Sequence, residues 1–213
     1  MVIGIYGAGG LGREVFDTAC LIKKESDKII FIDDINGNNG LNYASSPIVT
    51  FDEAKKIPDL SVIIAVGEPS VRERLHDVVR ENNIKLCSVI HPMSNISPFA
   101  KIGEGVYVGA FTYISCNASI ADNVFLQPHC VIGHDSSVGA DSLISSFSEV
   151  CGHCKIGEST YISIHSVIKQ GISVGSNAII GFSSVVHKDI DDGVVAMGNP
   201  ARILSRAVDT RVF

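Results

Sequence analysis

From Ile96 onward an aliphatic residue returns at every sixth position: Ile96, Ile102, Val108, Ile114, Ile120, Leu126, Ile132, Val138, Ile144, Val150, Ile156, Ile162, Ile168, Val174, Ile180 and Val186, with no step missed. An unbroken series of that length has a chance probability on the order of one in a billion. Gly, Ala or Ser often follows the aliphatic, as at Gly103, Gly109, Ala121, Gly133, Gly139, Gly157, Gly175 and Gly181. Four positions after it come small or β-branched residues such as Thr112, Ala118, Ser136, Ser148, Thr160, Ser166 and Ala178. An α-helix cannot keep a period of six on one face. A parallel β-helix can, because each short strand turns one aliphatic inward and the chain bends at small residues.

Residues 1–95 lack this period. VIGIYGAGGLGREVFDTA runs from an apolar strand through a glycine-rich turn into an amphipathic helix, and KIIFIDD follows as a second strand ending in two acids. SVIIAVG at 61–67 reads as a third strand, PSVRERLHDVVRENN as a helix with charge on its outer face, and KLCSVIH as a fourth strand leading into the repeat. Gly7, Gly9 and Gly12 fit G-x-G-x-x-G, and Asp33 stands about where an acid would bond a ribose. The unit is too short for a full six-stranded NAD fold. A helix N-terminus cradles a phosphate without a second half, so a nucleoside diphosphate is preferred over NAD. The expected architecture is an α/β N-terminal half-Rossmann domain, residues 1–92, followed by a parallel β-helix with a C-terminal tail, residues 93–213.

Composition narrows the partners. With 46% hydrophobic residues in 213, the chain can bury a core. A formal net charge of −6 and no long basic run leave no footprint for nucleic acid. No apolar stretch has the length of a membrane helix and the N-terminus has no signal-peptide layout, so a cytoplasmic location is expected. Six scattered cysteines are then expected as reduced thiols.

The hexads resemble the hexapeptide-repeat family, whose chains form a left-handed β-helix with three hexads per coil, so that residues 18 apart stack. Cys116, His134, Gly152 and Gln170 then form one column along a corner, with His134 outside the packed prism. On spacing alone, a solvated surface imidazole explains His134 as well as a catalytic one. Nearly the whole chain is similar to one subfamily, the sialic acid O-acetyltransferases and bacillosamine-pathway N-acetyltransferases. The motifs are YGAGGLG, FIDD, AVG at 65–67, HP at 91–92, IGHD-x-x-x-G at 132–139 and VVHKDIDDGVVAMGNPAR near the end.

The resemblance implies an acetyl-CoA-dependent sugar acetyltransferase, homotrimeric, with its site between neighbouring subunits and no metal. It implies that Gly9, Gly10, Leu11, Asp33 and Asp34, with Gly67 nearby, hold the nucleotide and diphosphate. It also implies His134 as general base, Asp135 as the acid orienting it, and Gly152 giving its backbone N–H to the developing oxyanion. CoA contacts carry over to Gly152, Ile164 and Gly181. The chemistry fits those types: an ordinary imidazole can accept a proton near neutral pH, and a carboxylate steadies the imidazolium formed. Leu143 stands where relatives often place a histidine against the acetyl group. The acceptor expected is a 4-amino-4,6-dideoxy sugar on UDP, with sialic acid O-acetylation as the alternative.

Other motifs weigh less. Cys151-Gly-His-Cys154 has a dithiol redox form but lacks a helix N-terminus to activate a thiol. His129 and His134 resemble part of a γ-class carbonic anhydrase site, which needs a third histidine. Arg202, Arg206 and Arg211 could touch CoA phosphates or lie in solvent. A dinucleotide oxidoreductase rests on the glycine pattern alone, and a non-catalytic nucleotide-sugar scaffold would bind without releasing thiol.

Overall fold

The computed structural model describes residues 1–35, 40–206 and 212. The N-terminal unit runs β1 (Val2–Tyr6), α1 (Gly10–Ile22), β2 (Lys28–Ile32), β3 (Asn42–Tyr43), β4 (Ser46–Val49), α2 (Phe51–Ala54), β5 (Leu60–Ile64), α3 (Pro69–Glu81) and β6 (Lys85–Leu86). Its sheet has the order β3-β4-β2-β1-β5-β6 and is parallel apart from the β3–β4 hairpin. The central strands are apolar almost throughout because helices cover both faces, and each buries nearly every residue. Gly7 lies at φ +119°, and a Cβ on Gly12 would stand 1.9 Å from the Gly7 carbonyl oxygen, so α1 can leave β1 this tightly only with glycine at both places.

The fourth strand expected over KLCSVIH divides into two strands in different sheets. Lys85–Leu86 pairs with β5 and the Cys87 N–H donates to Val62, whereas Val89–Ile90 pairs with Tyr107–Val108. Between them Ser88 belongs to the β-helix: its hydroxyl donates to the Gly103 carbonyl and accepts from the Val106 N–H. Pairing therefore changes sheets a few residues ahead of 93.

Beyond this point two-residue strands build a left-handed parallel β-helix with three faces. The first face holds Tyr107–Val108 and its stacked partners 125–126, 143–144, 161–162 and 179–180; the second begins Asn95–Ile96 and Tyr113–Ile114; the third Lys101–Ile102 and Ser119–Ile120. Coils stack in 18-residue register, Tyr113 on Val131 on Glu149 on Val167. The repeated aliphatics fill the prism almost without exposure. The residue three after the aliphatic turns the corner at positive φ, and Asn, Asp and His recur there, as at Asn117 (58°), Asp135 (58°) and His153 (57°). Their short polar side chains suit that backbone region. Inward hydroxyls stitch coils together: Ser136 donates to the Cys151 carbonyl at 2.8 Å and accepts from the Cys154 N–H at 3.0 Å, a pattern repeated at Ser142, Ser148 and Ser166.

The N-terminal unit docks on the first face. Val15 and Phe16 of α1 join Tyr107, Phe125, Leu143 and Tyr161 in one apolar cluster, and Thr18 and Tyr107 share a hydrogen bond of 3.1 Å. The charged outer face expected for α3 is present in the exposed Glu73, Arg74, Asp77, Arg80 and Glu81, but Arg72 is fully buried and His76 nearly so on the opposite face. Arg72 donates to the carbonyls of Ile64 (2.8 Å), Val66 (3.1 Å) and Asn123 and to Asn123 Oδ1 (2.8 Å), and its guanidinium lies over Phe125. Asp141 Oδ1 accepts from Asn123 (2.7 Å) and sits 2.9 Å from His76 Nδ1. Desolvation pulls the Arg72 pKa down, with Asp141 opposing.

Candidate active site

His134 and Asp135 occupy the corner that joins the second face to the third. His134 Nδ1 lies 2.8 Å from Asp135 Oδ2. A carboxylate can only accept, so Nδ1 carries the proton and Nε2 presents its lone pair outward. Asp135 Oδ1 accepts from Asn117 Nδ2 at 3.0 Å. These bonds, that from His134 first, hold the exposed Asp135 carboxyl below the usual range. One coil above His134 lies Gly152. Its backbone comes so near the imidazole that a Cβ there would stand 2.6 Å from Nε2. The Gly152 N–H finds no acceptor among the described residues. The corner thus offers a base with a fixed tautomer, a carboxylate behind it and an N–H donor on bare backbone beside Nε2. That set can take a proton from a nucleophile and stabilise an oxyanion.

His153 was not singled out from the sequence, yet its Nε2 lies 3.9 Å from Asp135 Oδ2. The 18-residue stacking signals it, since His153 sits directly above Asp135. The side-chain nitrogens of His134 and His153 and the Asp135 carboxylate thus form one cluster, their atoms all within 4.8 Å of one another. His129 instead stacks between Phe111 and Phe147 on the corner joining the first face to the second. Cys154 is buried in the prism and Cys151 partly so, and desolvation raises both thiols, against what a redox dithiol needs.

The nucleotide candidates lie elsewhere. Gly9, Gly10, Leu11 and Gly67 line a cleft of about 510 Å³ whose wall on the β-helix side is Gln127 and Leu143. The N-terminus of α1 opens into it with no side-chain cap. Leu143 is buried beneath the N-terminal unit. Asp33 and Asp34 line an adjoining hollow of about 170 Å³ with Tyr6, Ile35 and Arg74. Asp34 is engaged within the fold, Oδ2 by the Tyr6 hydroxyl at 2.5 Å and Oδ1 by the Phe51 N–H at 2.9 Å. Desolvation first, and this bond second, raise the Tyr6 pKa. Ile164 and Gly181 stand near the corner between the first and second faces, with Ile164 exposed. Within one chain, therefore, His134, Asp135 and Gly152 occupy a different corner from the cleft and from Ile164 and Gly181. Arg202 and Arg206 lie on an exposed strand, while Arg211 lies outside the described residues.

Fold and corner together define a two-domain hexapeptide-repeat protein with an imidazole–carboxylate pair on its β-helix. Residues 2–79 match the family model of the PglD N-terminal domain. UDP-N-acetylbacillosamine N-acetyltransferase of Bacillus subtilis is 31% identical over 113 residues, 51% of each chain. Matched stretches span between 22% and 51% of the curated relatives' own lengths. Among solved structures, PerB from Caulobacter crescentus in complex with CoA and GDP-perosamine superposes with a TM-score of 0.85 at 27% identity, covering 96% of this chain and 98% of that one. The acetyltransferase domain of PglB from Neisseria gonorrhoeae in complex with acetyl coenzyme A gives 0.89 at 28%, covering 95% and 98%. Residues 2–79 thus carry a PglD-type N-terminal domain, and nearly the whole chain is similar in structure to these acetyltransferases.

Proposed function

We propose that this chain is an acetyl-CoA-dependent N-acetyltransferase acting on a nucleotide-linked amino sugar of surface glycan biosynthesis. The acceptor we assign is the 4-amino group of a 4-amino-4,6-dideoxy sugar on UDP. The observation that carries the reading is His134, its Nδ1–H held by Asp135 and its Nε2 set against the bare backbone of Gly152.

In this reading a thioester supplies the acyl carbon and the sugar amine attacks it. His134 Nε2 takes the amine proton as the C–N bond forms, a role worth about 10²–10⁴ in rate. Asp135 balances the charge left on the imidazole. The Gly152 N–H donates to the carbonyl oxygen as it gains charge, worth about 10²–10³. When the C–S bond breaks, His134 returns the proton to the departing sulfur. The glycine-rich cleft holds the diphosphate through the free N–H groups at the start of α1, and Asp33 takes a hydroxyl or base N–H. Tethering both reactants supplies much of the acceleration.

The site is completed by a neighbouring subunit, a homotrimer bringing the corner of His134 against the cleft of another copy. What supports this is the separation of the two residue sets on different corners of one chain. Among the described residues no helix is long and apolar enough to cross a membrane, and the reading places the enzyme in the cytoplasm. The test is release of free thiol from acetyl-CoA against UDP-, dTDP- and GDP-linked 4-amino sugars, with free and CMP-linked sialic acid included. Turnover with a nucleotide-linked amino sugar supports the reading. Turnover with sialic acid alone moves the acceptor to a hydroxyl, and binding with background thiol release makes the chain a scaffold.

A further inference from the structure

Asp135 is the middle of a column at positive φ, with Asn117 one coil below and His153 one coil above. Its Oδ1 accepts from Asn117, and its Oδ2 lies 2.8 Å from His134 Nδ1 and 3.9 Å from His153 Nε2. The two imidazoles meet edge-on, centroids 4.8 Å apart at 90°, and the His153 N–H donates to the His134 carbonyl at 2.8 Å. One carboxylate oxygen is thus addressed by two imidazoles, and both rings reach solvent.

We propose that His153 is a positioning residue that shares the Asp135 carboxylate with His134 and so sets how readily His134 accepts the proton of the incoming amine. The inference rests on the reading of His134 as the base. When His153 is protonated its positive charge sits beside the oxygen that supports the His134 imidazolium, and a second imidazolium on the same oxygen is disfavoured. Removing His153 leaves the carboxylate to His134 alone, so His134 holds its proton up to higher pH. A permanent cation at 153 does the reverse. Among the described residues the titratable groups stacked on this corner are Asp135, the two imidazoles and the free thiols of Cys116 and Cys151. Glu149 acts on the neighbouring Cys151 thiol. On the coil above, Gln170 and Gly171 are uncharged and Lys169 offers its backbone carbonyl to Cys154.

The test compares the full-length parent with His153→Asn, which accepts a positive φ, and His153→Lys, in buffer containing EDTA so that no adventitious cation bridges the three side chains. Two quantities are measured: the imidazole C–H titration of His134 by NMR without substrate, and the pH profile of kcat/KM. His153→Asn is expected to move the His134 midpoint and the acid limb up by a few tenths of a pH unit. His153→Lys is expected to move both down by about half a unit, and both differences shrink in 1 M salt. Thermal melting verifies that both variants fold. Unchanged midpoints in the two folded variants overturn the proposal, whatever the turnover. Midpoints that move as expected in a protein that transfers no acetyl group support the shared carboxylate and overturn the acetyltransferase reading.

Discussion

The His134 imidazole packs directly against the Gly152 backbone, with Nε2, Cε1 and Cδ2 2.6, 2.7 and 3.0 Å from the point a Cβ on Gly152 would occupy. The imidazole and the Gly152 backbone are therefore in contact, and no side chain fits between them. Gly152→Ala is expected to push the ring off its bond to Asp135 and lower kcat about a hundredfold or more. The melting temperature should change little, since His134 and its neighbours stand outside the prism. Kinetics and melting on the purified variant check this, and activity within a few-fold of the parent would show that the contact is not used.

Arg72 ties α3 to the β-helix through Asn123, while His76 reaches Asp141 on the same corner. Truncating Arg72 strands Asn123 and the carbonyls of Ile64 and Val66, and breaking such a buried polar set costs about 3–5 kcal/mol. Arg72→Ala should thus lower the melting temperature on the order of 10 °C, read by calorimetry, while leaving kcat near the parent's at low temperature. An unchanged melting point would mean that docking rests on the α1 cluster alone.

The thiols divide by position. Cys20 and Cys116 are exposed, whereas burial pushes Cys87 and Cys130 up to about 12. Iodoacetamide at pH 8 should label Cys20 and Cys116 in the native protein, and Cys87 and Cys130 only after unfolding, as mass spectrometry would show. Cys154 fills the inward slot that Ser136, Ser148 and Ser166 fill on other hexads. Cys151→Ser with Cys154→Ser should therefore keep most acetyl transfer, and complete loss in a folded double variant would give the dithiol a role.

The two acids after β2 should part company. Asp34 holds Tyr6 and the start of α2, so Asp34→Ala is expected chiefly to lower stability. Asp33→Ala is expected to raise KM for the nucleotide sugar more than for acetyl-CoA. Initial rates with each substrate varied in turn separate the two, and equal KM changes for both substrates would remove Asp33 from the sugar site.

Much of this architecture is legible in the sequence because the β-helix is a local code. The aliphatic period fixes which residues face inward, and the 18-residue stacking puts Gly152 over His134. His153 over Asp135 follows from the same rule, although the cysteines on either side make Cys-Gly-His-Cys read as a dithiol. Arg72 was not legible. Its charge on an amphipathic helix reads as solvated, and only docking against Asn123 and Phe125, about fifty residues away in sequence, buries it. KLCSVIH read as one strand because periodicity cannot show that Cys87 pairs with Val62 while Ser88 already serves Gly103 and Val106. The β3–β4 hairpin, built on a short polar stretch, left no strong pattern either.

The central claim is that His134 is the base in acetyl transfer to a nucleotide-linked amine. Its most direct test is kcat of His134→Ala beside the parent, with acetyl-CoA and a UDP-linked 4-amino sugar at saturation and Asp135→Asn in parallel. The account predicts a loss of at least about a hundredfold for His134→Ala, a smaller loss for Asp135→Asn and parental melting temperatures for both. A folded His134→Ala enzyme with kcat within a few-fold of the parent would contradict it.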